Sequence, residues 1–173
     1  MVSKEKIIFT KDECSNIINY CESNLKSKAV STSKRSKYQF FQIEYNDETN
    51  WIFDRININF TELTNIKIKD TKRDGLLVLV YNVGDMFGKH TDRTPDTMDK
   101  MWNTGVLLNE DFEGGEYNYY NNGWKTFEKQ TGNFMVYESD ITHEITMVTK
   151  GKRYAIVKMF VVSDLEYTKT KMI

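Results

Sequence analysis

The segment Tyr81-Asn-Val-Gly-Asp-Met-Phe-Gly-Lys-His90-Thr-Asp92 decides how this chain is read. It closes an apolar run, Leu76-Leu-Val-Leu-Val80. Strand side chains alternate, so an extended segment at His90 sets His90 and Asp92 on one face. An imidazole and a carboxylate on one face make two thirds of a metal site. The chain has two histidines, and the second is His143. His90, Asp92 and His143 supply the ligand types of a 2-His-1-carboxylate facial triad, which occupies one face of an octahedral ion and leaves the other open. Arg153 follows His143 by ten residues, at the start of a further strand. A guanidinium fixed beyond a metal can hold a carboxylate through two parallel hydrogen bonds.

The bulk numbers narrow the setting. A length of 173 residues fits one domain with a real core, and 39% hydrophobic with 28% charged residues is the balance of a soluble globular protein. A net charge of −1 gives no global basic field, so DNA is not an expected partner. No apolar run approaches the roughly 20 residues that span a bilayer. Met1-Val-Ser-Lys-Glu-Lys6 lacks a signal-peptide core, and a cytoplasmic location follows. Cys14 and Cys21 on one helix would stand about 10 Å apart along its axis, too far for a disulfide without distortion. They read as small buried hydrophobes.

Local patterns give the layout. Ile7–Phe9 is a short strand, and Thr10-Lys-Asp-Glu13 fits a capping box. Cys14, Ile17, Ile18, Cys21 and Leu25 then predict an amphipathic helix over 11–27. Residues 28–37 are small, polar and basic, and read as a loop. Tyr38–Tyr45 reads as a strand and Asp47–Leu63 as a second helix. Asn65–Lys69 alternates as a half-exposed strand, and Asp74-Gly75 signals a hairpin into Leu76–Val80. From there strands alternate with Gly, Asn and Asp turns: 103–109, 117–120, 124–127, 134–137, 143–148 and 154–162, with Lys169–Ile173 as a polar tail. That rhythm predicts a double β-sheet, sandwich or barrel-like, with two helices over one sheet.

Three stretches carry a resemblance: Tyr81 to Asp92, Leu108-Asn-Glu-Asp-Phe-Glu-Gly-Gly115, and Gly132 to Arg153 with its Ser139-Asp-Ile-Thr-His143-Glu and Gly151-Lys-Arg153. The chain resembles the Fe(II)/2-oxoglutarate-dependent dioxygenases, in their prolyl 4-hydroxylase-like branch, over about 76–162. The resemblance implies a mainly β fold with flanking helices and a double-stranded β-helix (jelly-roll, cupin-like) core. It implies one domain over 1–173, with N-terminal helical support to about 65 and a catalytic core over about 66–163. By the same match His90, Asp92 and His143 bind Fe(II), and Arg153 pairs with the distal carboxylate of 2-oxoglutarate. Tyr81 matches a family tyrosine whose hydroxyl faces the cosubstrate; it also reads as a core aromatic. Glu144 and Lys152 alternate away from the site. Leu107 stands where many members carry a tyrosine, so a hydroxyl contact is missing or comes from Thr104 or a nearby tyrosine.

The implied activity is hydroxylation of an unactivated C–H with release of succinate and CO₂. It uses O₂ and is supported by ascorbate, which members of the family bind. The expected substrate is a prolyl residue of a protein or peptide, and Trp102, Trp124, Tyr117, Tyr119 and Tyr120 offer aromatics for a peptide groove. The alternatives are a free amino acid or small metabolite as substrate, or a non-catalytic metal-binding or sensor module. Nucleic-acid demethylating relatives carry a second arginine six residues after the first; here that position is Met159.

Overall fold

The protein is described from a computed structural model that covers residues 5–32, 36–69 and 75–166. In chain order the elements are β1 (Glu5–Ile7), α1 (Lys11–Asn24), β2 (Lys28–Thr32), β3 (Ser36–Ile43), α2 (Asn50–Thr64) and β4 (Lys67–Ile68). Then come β5 (Leu76–Tyr81), β6 (Met86–His90), β7 (Lys100–Leu107), β8 (Glu113–Gly114), β9 (Tyr117–Tyr120) and β10 (Trp124–Thr126). The last are β11 (Asn133–Glu138), β12 (His143–Ile145), β13 (Val148–Lys150), β14 (Arg153–Val161) and β15 (Leu165–Glu166).

Eleven strands form one antiparallel sheet in the order β1-β11-β7-β14-β5-β3-β6-β12-β9-β10, with β2 against β3. The sheet is strongly curled into the double layer that the strand rhythm predicts, with the jelly-roll core that the resemblance implies. Register explains the curl. Gln39–Ile43 of β3 pair with β5, while Ser36 and Lys37 pair with β6. A single strand therefore passes from one layer to the other. Two small ladders, β8–β13 and β4–β15, lie apart from the main sheet.

Alternation sorts the main sheet into two faces. Leu76, Val78 and Val80 of β5, with Ile156 and Phe160 of β14, pack against Cys14, Ile17 and Cys21 of α1 and Ile52, Phe53, Ile56 and Phe60 of α2. Each such side chain, fully buried, contributes about 1.5–3 kcal/mol. Leu77, Leu79 and Tyr81, with Arg153, Ala155, Val157 and Met159, face the interior of the roll and line its cavity. Helix α1 starts as its sequence predicts. Thr10 accepts from the Glu13 amide at 3.2 Å, and Glu13 accepts from the Thr10 amide at 2.9 Å. Both cysteines are free and buried, and burial pushes each thiol up to about 12.

Several local readings change. Helix α1 ends at Asn24, not 27, because Leu25 is extended and its amide closes on Cys21. The expected loop at 28–37 is largely a hairpin: Lys28–Thr32 pair with Ser36–Phe40. Its residues are small and polar because the strand is exposed, and its backbone finds partners on β3 whatever its side chains prefer. The Asp74-Gly75 signal does not join its flanking strands, since β4 pairs with β15. Asp74 itself and Lys169–Ile173 lie outside the described residues. The strand expected over 143–148 divides into β12 and β13. No helix among the described residues is long and apolar enough to cross a membrane.

One junction depends on a glycine. Gly132 has φ +82°, and a Cβ there would lie 2.0 Å from the Phe9 carbonyl oxygen. Its amide donates to Leu107 and its carbonyl accepts from Ile8. Gly132→Ala is expected to destabilise the protein by about 2 kcal/mol or more. A urea midpoint unchanged from wild type would show that this junction yields.

Candidate active site

The opening segment turns sharply between β5 and β6. The Asp85 carboxylate accepts from the Asn82 amide at 2.9 Å and pairs with Lys37 at 3.2 Å. Gly84 and Asp85 also exchange backbone hydrogen bonds with Val148. The segment then runs extended into His90, which lies directly opposite His143 across the β6–β12 ladder. Opposed residues on antiparallel strands share a face, and the two imidazoles stand with ring centroids 4.2 Å apart. Just beyond β6, the amides of Asp92 and Arg93 donate to the Ser139 carbonyl at 3.0 and 2.9 Å. That pins Asp92 beside the histidines.

Three ligand atoms converge. His90 Nε2 is 3.5 Å from Asp92 Oδ1, and His143 Nε2 is 3.5 Å from Asp92 Oδ2. All three donors lie within 4.8 Å of one another. Perpendicular metal–ligand bonds of about 2.1 Å separate donors by about 3 Å, so this spacing suits a single ion. The tautomers suit it too. His90 Nδ1 donates to the Gly88 carbonyl at 2.7 Å and His143 Nδ1 to the Ile141 carbonyl at 2.9 Å. Both Nε2 lone pairs therefore face the centre. Burial holds His143 below the usual imidazole range, against the pull of Asp92, so it presents a neutral ring at neutral pH. Burial pushes the Asp92 carboxyl up, but the His90 hydrogen bond and the potential of His143 outweigh it and leave the group anionic.

Asp92 has a support that sequence reading missed. Asn103 on β7 donates a hydrogen bond to Asp92 Oδ2. Its own carbonyl accepts from the Ser139 hydroxyl at 3.1 Å. Both residues are essentially without solvent exposure. Asn103→Leu is expected to weaken metal binding roughly 10–100-fold, the usual cost of an outer partner. A Co(II) titration reads this, and an unchanged dissociation constant would make Asn103 a packing residue only.

Arg153 opens β14 directly opposite Tyr81, so both side chains enter the roll. The Arg153 guanidinium lies 5.5 Å from the Tyr81 ring centre. The Gly-Gly turn makes room for it: a Cβ at Gly115, where φ is +63°, would press on the Arg153 stem at 3.2 Å. Arg153 is 3% exposed, and among the described residues it has no carboxylate partner. Its Nε and the Tyr81 hydroxyl are sealed from solvent without hydrogen-bond partners, while the Tyr117 hydroxyl lies against that of Tyr137. Burial opposes the Arg153 charge and the three tyrosines Tyr81, Tyr117 and Tyr137 favour it; a guanidinium stays charged in such a setting. Donors without an acceptor around a buried cation fit an anionic ligand such as a carboxylate. The triad, Tyr81, Tyr117 and Arg153 line one cavity of about 240 Å³.

The structure thus brings His90, Asp92, His143, Arg153 and Tyr81 together. Glu144 accepts from Asn118 at 3.3 Å, and Lys152 is exposed, so neither joins the site. Thr104 donates to the Lys158 carbonyl at 3.1 Å, which commits its hydroxyl. The five aromatics expected to line one groove disperse. Trp102 is buried against Phe60, Tyr119 stacks on Phe127, and Tyr120 with Trp124 forms an exposed pair. Tyr117 stacks on His143, and Tyr38 stacks on Phe87, which stacks on His90 at 3.9 Å.

A jelly-roll with a His–Asp–His cluster that could hold one metal ion, beside a buried arginine that has no carboxylate partner among the described residues, defines the class of site. Residues 76–161 match the family model of the 2OG-Fe(II) oxygenase superfamily. The family implies Fe(II), 2-oxoglutarate and O₂, and the His90–Asp92–His143 cluster suits the iron. No functionally curated protein matches the chain by sequence. Solved structures share its fold at low identity. A prolyl hydroxylase from Trichoplax adhaerens, in complex with a hypoxia inducible factor oxygen degradation domain peptide fragment, is 17% identical with a TM-score of 0.75, over 93% of this chain and 84% of that one. A Pseudomonas putida prolyl-4-hydroxylase is 16% identical with a TM-score of 0.70, over 92% and 91%. The non-heme alpha ketoglutarate dependent epimerase SnoN from nogalamycin biosynthesis is 11% identical with a TM-score of 0.69, over 91% and 76%.

Proposed function

We propose that the protein is an Fe(II)- and 2-oxoglutarate-dependent hydroxylase of the prolyl 4-hydroxylase-like branch, acting on a prolyl residue of a protein or peptide. The carrying observation is a single cavity where two imidazole Nε2 atoms and a carboxylate face a buried guanidinium that lacks an anion. In this reading His90, Asp92 and His143 hold Fe(II), and Arg153 with Tyr81 takes the distal carboxylate of 2-oxoglutarate. Bound Fe(II), with 2-oxoglutarate and O₂, supplies oxidation of an unactivated C–H bond with release of succinate and CO₂. The chain's own residues position and shield. Gly88 and Ile141 fix the imidazole tautomers, Asn103 steadies Asp92, and Arg153 orients the cosubstrate by its far end. Leu79, Ile145 and Ala155 keep the cavity walls apolar. The stacked Tyr38, Phe87 and His90 rings favour a prolyl substrate, because a pyrrolidine ring packs well on an aromatic face at the cavity wall. We read 1–173 as one domain, with residues 66–163 as its catalytic core.

Two assays test this. The first follows 2-oxoglutarate turnover with Fe(II) and ascorbate, with no substrate added. The second examines peptides with and without proline by mass spectrometry for a gain of one oxygen. Oxidation of proline peptides is the expected result. Oxidation of free amino acids alone would transfer the assignment to a small-molecule hydroxylase. Absence of any 2-oxoglutarate turnover would leave a non-catalytic metal-binding module.

A further inference from the structure

Past the end of the β7–β11 ladder lies a second cavity, of about 230 Å³. Arg93, Met101, Trp102, Glu138, Ser139 and Asp140 line it, and none of these lines the main cavity. The two cavities are neighbours along the chain. Asp92 and Lys100 face the first, and Arg93 and Met101 face the second. Backbone contacts frame it. Trp102 pairs with Glu138 as the last rung of the ladder. The Ser139 amide then donates to the Met101 carbonyl at 3.1 Å, and the Arg93 amide donates to the Ser139 carbonyl at 2.9 Å.

The lining carries both signs of charge. Arg93 stands on one segment, and Glu138 and Asp140 stand on another. An arginine within reach of a carboxylate ordinarily closes a bidentate pair. Here the cavity lies between them, and among the described residues Arg93 forms no ion pair, while its Nε has no hydrogen-bond partner. A ligand that fits must bring an acceptor for the guanidinium and a donor for the carboxylates, since polar groups drawn out of water need partners. Met101 and Trp102 add an apolar wall, and both pack on the main core. At about 230 Å³ the space falls below the roughly 300–1,000 Å³ of sites for drug-sized ligands, so the occupant is small.

We propose that this cavity binds a free α-amino acid with an apolar side chain. Its carboxylate meets Arg93, its ammonium meets Asp140 and Glu138, and its side chain lies against Met101 and Trp102. The site also bears on the metal centre, because Ser139 serves both. The Ser139 carbonyl accepts from the Asp92 amide at 3.0 Å, and the Ser139 hydroxyl donates to Asn103, which donates to the Asp92 carboxylate. An amino acid that holds Arg93 and Asp140 around Ser139 steadies Asp92. Amino acid and metal therefore strengthen each other's binding by one common factor. That coupling, unlike the site itself, rests on the reading of Asp92 as a metal ligand.

Calorimetric titration of the metal-free protein tests the site with three probes. They are L-leucine, 4-methylpentanoate, which lacks the ammonium, and 3-methylbutylamine, which lacks the carboxylate. L-Leucine is expected to bind about tenfold or more tightly than either, because each analogue loses a charge-assisted contact. Arg93→Gln should weaken L-leucine by about tenfold and leave 3-methylbutylamine within about twofold. Asp140→Asn, at an exposed position, should weaken L-leucine and leave 4-methylpentanoate unchanged. L-Leucine that binds no tighter than its analogues, or that binds both variants as it binds wild type, overturns the site. So does displacement of L-leucine by 2-oxoglutarate, which would put the amino acid in the main cavity. In a second titration, saturating L-leucine should tighten Co(II) by about fivefold or more. An unchanged Co(II) affinity overturns the coupling. Wild-type protein that binds L-leucine but no Co(II) instead overturns the metal site.

Discussion

Asp92→Ala is expected to reduce 2-oxoglutarate turnover to background. The aspartate is the one carboxylate donor in the cluster, set between two imidazoles. Losing an outer partner of a ligand already costs about 10–100-fold in affinity or activity, so losing the ligand itself should exceed that range. The fold should survive. Asp92 lies outside the main apolar cluster, and its backbone remains tied to Ser139. The substitution also removes the partner of the Asn103 amide, a local cost of about 1–3 kcal/mol if that donor stays dry. The decisive pair of measurements is Co(II) affinity and succinate formation, each against the unfolding midpoint. Full succinate production by Asp92→Ala would end the assignment of this residue as a ligand.

The parts of this site that were legible in the sequence share one property: their meaning is local. His90 and Asp92 are two residues apart on an extended segment, and alternation alone sets them on one face. The Thr10–Glu13 capping box and the cysteine stripe of α1 are local in the same way, and both appear where the spacing put them. The Gly-Gly turn and the spacing from His143 to Arg153 were legible as motifs. What they accomplish together, seating the arginine stem over Gly115, depends on β8 and β14 meeting in space.

The rest was hidden because it belongs to register. Asn103 looks like any polar residue at the start of a strand. It becomes a support for Asp92 only when β7 lies beside β11, with Asn103 opposite Tyr137. A buried asparagine in mid-strand was the one available signal, and burial is not visible before pairing. Tyr117 sat in the sequence among Tyr119 and Tyr120 as one of three similar residues. The ladder to β12 separates them: one faces His143, one Phe127, and one the solvent. The 28–37 stretch failed for the converse reason. Its side chains describe an exposed surface accurately, but exposure does not distinguish a loop from an outer strand.

Arg153 should show opposite signs in function and in stability. Arg153→Met is expected to weaken 2-oxoglutarate by about 2–5 kcal/mol, the range for truncating one partner of a buried charge pair. Co(II) affinity should change little, because the guanidinium is not among the clustered ligand atoms. Arg153→Lys should recover only part of the loss, since an ammonium offers a point charge and not a planar fork. The unliganded protein should respond the other way. There Arg153 is buried beside tyrosine rings with no carboxylate partner among the described residues, so the desolvation of its charge is offset only in part, by those rings. A methionine of similar length removes that cost and packs against Tyr81, so the apo unfolding midpoint should rise. Adding 2-oxoglutarate with Co(II) stabilises wild type in proportion to the logarithm of ligand over dissociation constant. The variant should gain almost nothing from the same addition. A thermal series with and without 2-oxoglutarate therefore separates the two contributions. An apo protein destabilised by Arg153→Met would mean that the arginine braces the roll. A variant stabilised by 2-oxoglutarate as strongly as wild type would mean that the distal carboxylate lies elsewhere.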